Sequence, residues 1–159
     1  MRYGECVRKG LERVRPDVRK AVRAMEIARR RPEEAELFEE GIFSGSFILS
    51  YTAMFHSVRA LLFRDGWIER SHVCAAAYLE EKYVKNGRLE RRYLSIFDAG
   101  RMERHETIYG LEISVSRGDA EHMLGKAKEF VSRIAEMLEE EHEKNRDRAE
   151  RRGDSEGLR

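Results

Sequence analysis

Proline scarcity limits this architecture more than any other feature: only Pro16 and Pro32 occur in 159 residues. Proline fixes φ and carries no backbone N–H, so it breaks helices and central strands alike. A chain nearly free of it can run in long helices. Apolar residues recur three and four positions apart along most of the length, the period of an amphipathic helix, and strand-like alternation is absent.

The first helix is expected over about residues 5–30, with Val18, Ala21, Val22, Met25 and Ala28 at helical spacing. Pro16-Asp17 reads as a start or restart, and Arg29-Arg30-Arg31 as a cationic end. Pro32 with Glu33-Glu34 then opens a second helix, about 32–65, interrupted by Gly41 and Gly45, with a kink or break expected near Ser44-Gly45-Ser46. Phe47, Ile48, Tyr51, Met54, Phe55, Val58, Leu61 and Leu62 form the strongest core stripe, ended by Asp65-Gly66. Ser71 reads as the N-cap of a third helix, about 72–86, and Asn86-Gly87 as a turn. A fourth helix covers about 88–108. After a loop and cap at Ser116–Asp119, a fifth covers about 118–146, with its stripe ending at Leu138. Residues 147–159 lack apolar anchors and read as a charged, disordered tail. The fold class that follows is all-α: an up-and-down antiparallel bundle of about five helices in one domain, residues 1–146. Phe55 and Phe130, each mid-stripe on a long helix, are expected to be deeply buried.

Charge narrows the function classes. Lys and Arg number 31 against 30 Asp and Glu, a formal net charge of +1, so the chain is not a basic nucleic-acid coat. Any RNA contact has to come from a local patch. Charged residues make up 38%, a level enriched in heat-adapted proteins. The chain opens on charges rather than a signal peptide and has no run of about 18 apolar residues, so a cytoplasmic protein without a membrane role is expected. Cys6 and Cys74 lack zinc-site spacing, and Cys74 sits in the apolar run Val73–Ala77; a buried thiol in a reducing compartment is expected.

The polar cluster Arg101-Met102-Glu103-Arg104-His105-Glu106 with Tyr109 carries the candidate chemistry. On a helix, Arg101, Arg104 or His105, and Tyr109 fall on about one face. Arginine grips phosphate with a fork of donors, and histidine moves protons near neutral pH. Together they suit cleavage of an RNA phosphodiester, in which the 2′-hydroxyl attacks and developing charge needs a cation. Ordinary surface ion pairs with a solvated His105 fit the same residues. His56 reads as a hydrogen-bonded core histidine, or alternatively as facing a groove with Arg59; His72 reads as part of helix capping. Trp67 and Tyr109 are aromatic faces on which a base can stack. No metal-ligand spacing or phosphate-binding glycine loop occurs, so neither a metal nor a cofactor is expected.

The stretch Phe47–Leu138 resembles the HEPN family. The likeness rests on Ser50-Tyr51-Thr52-Ala53-Met54-Phe55-His56-Ser57-Val58-Arg59-Ala60-Leu61-Leu62, on Asp65-Gly66-Trp67 followed by Ser71-His72, and on the Arg-rich segment ending at Tyr109-Gly110 with Ala120, Ala127 and Phe130 beyond. It is similar in particular to short prokaryotic HEPN proteins often encoded beside a minimal nucleotidyltransferase. The resemblance implies a five-helix bundle, usually a homodimer, with the active groove at the dimer interface. It also implies a toxin–antitoxin component that binds RNA or nucleotide, with metal-independent ribonuclease activity. Many HEPN nucleases carry an arginine, four to six residues and a histidine. Here Arg104 has Tyr109 at the histidine's place, while Arg101 reaches His105 with only three residues between. Two functions therefore stay open: a weak RNA nuclease using Arg101, Arg104, His105 and Tyr109, or a non-catalytic dimeric binding module for a nucleotidyltransferase partner.

Overall fold

The computed structural model describes residues 2–36, 42–109 and 114–156, without the side chains of 109, 144, 145 and 147–156. In chain order the elements are α1 (Tyr3–Lys9), β1 (Leu11–Arg13), α2 (Val18–Glu36), α3 (Phe43–Asp65), β2 (Trp67–Glu69), α4 (His72–Leu79), α5 (Arg91–Tyr109) and α6 (Arg117–Glu156). After α4 the chain makes one π-helical turn, Glu80–Val84. The architecture is all-α, with six helices among the described residues where the periodicity suggests about five.

The added element comes from the N-terminus. The expected helix over 5–30 is instead α1, a short strand and α2. Strand β1 pairs antiparallel with β2, Leu11 opposite Glu69 and Arg13 opposite Trp67. Three residues per strand are too few for alternation to be read in the sequence. Helix α2 does restart at Pro16-Asp17: the Asp17 carboxylate accepts the backbone N–H of Lys20 at 2.9 Å.

Pro32 does not open a new helix, and Arg29–Arg31 do not end one. Helix α2 runs through the proline to Glu36. Ala21, Ala24, Ala28 and Ala35 line its buried face together with Pro32. Such small side chains let α2 lie close along α3, its most extensive neighbour. That burial offsets the one backbone hydrogen bond the proline removes.

Helix α3 is the centre of the molecule and packs against α2, α5 and α6. It is buried on nearly every side, from Phe47, Tyr51 and Met54 to Val58, Leu61 and Leu62. Fully buried Ser50 and Ser57 satisfy their hydroxyls by donating to the carbonyls of Ser46 (2.8 Å) and Met54 (2.7 Å). No break occurs at Ser44–Ser46, since the helix starts at Phe43 and continues through Gly45; Gly41 lies outside the described residues. By length and hydropathy α3 would pass as a membrane span, contrary to the sequence expectation, but most of that apolar stretch is buried inside the bundle. Gly66 closes α3 in the left-handed region, φ 77°. A Cβ there would also lie 2.6 Å from the Val14 carbonyl oxygen, so the position excludes other residues.

Ser71 caps α4 as expected, its hydroxyl accepting the Cys74 N–H at 3.2 Å. In the π turn, Tyr83 joins Tyr78 on a single acceptor: both hydroxyls donate to Asp65 Oδ2, at 2.6 and 2.5 Å. Burial is the main cause that raises both phenols well above their ordinary range. Ser116 and Asp119 cap α6 reciprocally, and the helix continues to Glu156 where the sequence suggests a disordered tail from 147; residues 157–159 lie outside the described residues.

Two core expectations divide. Phe130 is fully buried, against Phe97 and Tyr93. Phe55 is only partly buried, because its ring faces a half-open polar site rather than the bundle axis. The cysteines depart furthest from the sequence reading. Both are buried, but Cys6 of α1 and Cys74 of α4 are joined in a disulfide that spans 68 positions.

Candidate functional site

The site lies where α5 crosses α3 beside the start of α4. Gly100 makes the crossing close: a Cβ on it would stand 3.0 Å from Met54 Cε and 3.1 Å from Tyr51 Cδ2. Arg101 and Arg104 follow directly. The Arg104 guanidinium sits 5.8 Å from the Tyr51 ring centroid, a cation–π distance. Arg101 is held by Asp98 one turn earlier, Nε to Oδ1 3.0 Å.

Under these arginines, Tyr51 and His72 form a pair. Tyr51 Oη lies 2.7 Å from His72 Nδ1. The imidazole stacks on Phe55 with ring centroids 3.9 Å apart and planes 15° from parallel. Ser71 alone supplies the capping bond, so His72 is not the capping residue the sequence suggests; it is a fixed ring at the mouth of the site. One turn along α3 from Phe55, Arg59 pairs with buried Glu69 at 2.9 Å and lies over the Phe55 and Phe63 rings.

Electrostatics follow from that layout. His72 is pushed down to about 4, first by burial and then by Arg104, Arg101 and Arg59. Tyr51 moves up, because burial outweighs the pull of Arg104 and Arg101, and it stays a neutral phenol. His56 is also lowered to about 4, by burial and then by Arg59 and Arg31. Its buried Nδ1 has no hydrogen-bond partner among the described residues. The hydrogen-bonded core histidine is therefore not found, and the alternative beside Arg59 fits.

Both histidines are neutral in the folded protein and ordinary in the unfolded one. Their folded values are depressed, so as pH falls the unfolded chain takes up protons first and stability drops. The window runs from about 6.5 down to about 4. Urea midpoints should be lower at pH 5 than at pH 7. The double variant His56→Gln/His72→Gln should narrow that difference; an unchanged difference would refute the assignment.

Of the sequence candidates, Arg101 and Arg104 meet at this site. His105 is 67% exposed, with Nδ1 3.6 Å from Glu106 Oε1. Tyr109 ends α5, and its side chain lies outside the described residues. Trp67 is already covered by the Arg13 guanidinium, 4.9 Å from the ring centroid. Sequence reasoning missed Tyr51, His72 and Gly100 as site residues. The glycine inside a helical run was the available signal, since such a residue often marks a close packing contact. Among the described residues no cluster of three or more His, Cys, Asp or Glu is placed to hold a metal ion.

The family model of the HEPN domain matches residues 21–140. A protein of Methanocaldococcus jannaschii whose name reads "Putative toxin MJ0605" is 28% identical over 126 residues, which is 78% of this chain and 93% of that protein.

Proposed function

The chain belongs to the HEPN domain family, and from that premise we propose that it is a toxin-class protein that binds RNA or a nucleotide by its phosphate at Arg101 and Arg104. The observation that carries this reading is the Arg104 guanidinium over the Tyr51 ring, with Arg101 close enough to act electrostatically on both Tyr51 and His72. Two arginine forks give a phosphate several charge-assisted donors, and the patch is local, in keeping with a net charge of only +1. The toxin class comes from the relative's name. A minimal nucleotidyltransferase is the partner this reading carries over from the family resemblance. Metal-independent cleavage is slow in this reading, because Tyr109 stands where the family spacing has histidine and a phenol is a poor base at neutral pH.

Fluorescence anisotropy with a labelled single-stranded RNA tests the binding. Arg104→Ala and Arg101→Ala should each weaken it about tenfold or more, the scale of a lost charged hydrogen bond. Wild-type affinity in both would end the proposal. Tyr109→His, which restores the family spacing, should raise cleavage in a chelator-treated assay.

The second reading, a dimeric binding module without catalysis, is favoured by the same tyrosine. Both readings use a homodimer. Met102 and Ile108 are exposed apolar residues on the arginine helix, a surface a second copy would cover. Light scattering at micromolar concentration should give twice the 18.7 kDa chain mass, and a monomer mass throughout would refute the dimer.

A further inference from the structure

His72 is fixed at this site on two sides. Tyr51 holds Nδ1 at 2.7 Å and Phe55 holds the ring plane. Among the described residues no hydrogen bond ends on Nε2, and the side chain is only half buried. The charges that act on it are Arg104 and Arg101 from α5 and Arg59 from α3; Asp98 partners Arg101, and Glu69 from β2 partners Arg59. The imidazole thus has one nitrogen anchored and the other available beside two candidate phosphate-binding arginines.

We propose that His72, oriented by Tyr51, takes the proton from the 2′-hydroxyl of an RNA nucleotide whose phosphate lies on Arg101 and Arg104. The inference rests on the phosphate-site reading above and adds the group that handles the proton. In the step, the 2′-oxygen forms a bond to phosphorus as its proton passes to Nε2, while Nδ1–H donates to Tyr51 Oη. The bond from phosphorus to the 5′-oxygen breaks, and that oxygen takes a proton from water. His72 then returns its proton to solvent. The products are a 2′,3′-cyclic phosphate end and a 5′-hydroxyl end, with no oxidant, metal or net water required. Arginines that hold His72 neutral keep it in the base form, and a bound phosphate offsets their field and strengthens the base.

The experiment measures cleavage of a single-stranded RNA in the presence of EDTA from pH 4 to 8, with RNA binding and melting temperature recorded in parallel. The proteins are wild type, His72→Gln, His72→Asn, His105→Ala and Arg104→Ala. The expected result has three parts. Wild-type rate declines on the acid side with an apparent pKa between about 4 and 6.5. His72→Gln loses about 100-fold or more in kcat and loses that acid limb. Its RNA affinity stays at the wild-type level. The inference is overturned if either folded His72 variant cleaves at the wild-type rate. It is also overturned if His105→Ala abolishes the limb instead, or if wild type binds RNA without cutting it. Should both His72 variants fail to fold, a wild-type profile lacking the limb overturns it alone. Wild-type RNA affinity in Arg104→Ala, by contrast, removes the phosphate site itself, a failure distinct from that of the histidine.

Discussion

Replacing Cys6 and Cys74 by serine should lower the unfolding free energy by about 4 kcal/mol, the chain-entropy value for a closed loop of this length. The bridge joins α1 to α4 across 68 positions, so it encloses β1, α2, α3 and β2. The unfolded chain loses that loop's freedom when crosslinked, while the folded chain gives up little, its Cα atoms already 5.3 Å apart. For a domain of this size the melting temperature should fall by about 10 °C. Calorimetry of the oxidised wild type, the reduced wild type and the double serine variant checks it. Equal melting temperatures for all three would show that the bridge contributes nothing. Disulfides are rare in reducing cytosol but persist in intracellular proteins of heat-adapted organisms. The 38% charged composition fits the same class.

Phe130→Ala should cost about 3–5 kcal/mol, the range for a buried phenylalanine whose cavity cannot collapse. Its ring is fully buried, 5.9 Å from Phe97 and 6.0 Å from Tyr93 by centroid. Three rings from α5 and α6 lock these helices together beneath the arginine segment, so the substitution should also loosen the site. Phe55→Ala should cost clearly less, because that ring keeps an open side. Denaturant unfolding of the two variants ranks them. A larger loss for Phe55 would mean that the inward faces are assigned wrongly.

Why Phe130 was legible and Phe55 was not is instructive. Periodicity identifies the stripe a helix buries, and on α6 that stripe meets only apolar neighbours. On α3 one flank of the stripe meets polar groups, His72 of α4 and Arg104 of α5, and periodicity does not distinguish a core wall from a site wall. The caps at Asp17, Ser71 and Ser116 were readable because each acts within three residues of its partner. The Tyr51–His72 pair was not, since its members stand 21 positions apart and nothing local links them. The Cys6–Cys74 bond was missed for the same reason: spacing of 68 carries no motif, and pairing depends on how α1 folds back. Pro32 misled because a local rule about helix starts was outweighed by the alanine face that α2 buries against α3. That Arg101 and Arg104 lie on one side of α5 is legible, because three positions on one helix is a spacing that sequence does express.

The π turn after α4 bears on how the chain tolerates changes of length. Residues five apart on an ordinary α-helix point about 140° away from each other. Tyr78 and Tyr83 are five apart, yet both reach the same Asp65 oxygen, because the wider turn takes up the extra residue. Deleting one residue between Glu80 and Lys82 would let the helix close in its usual repeat with the two tyrosines four apart, a spacing that keeps both on one face toward Asp65. The same deletion at Asn86-Gly87 falls in a turn beyond the last of these contacts. A one-residue gap between relatives of this chain should therefore be tolerated within Glu80–Lys82 as well as at the turn.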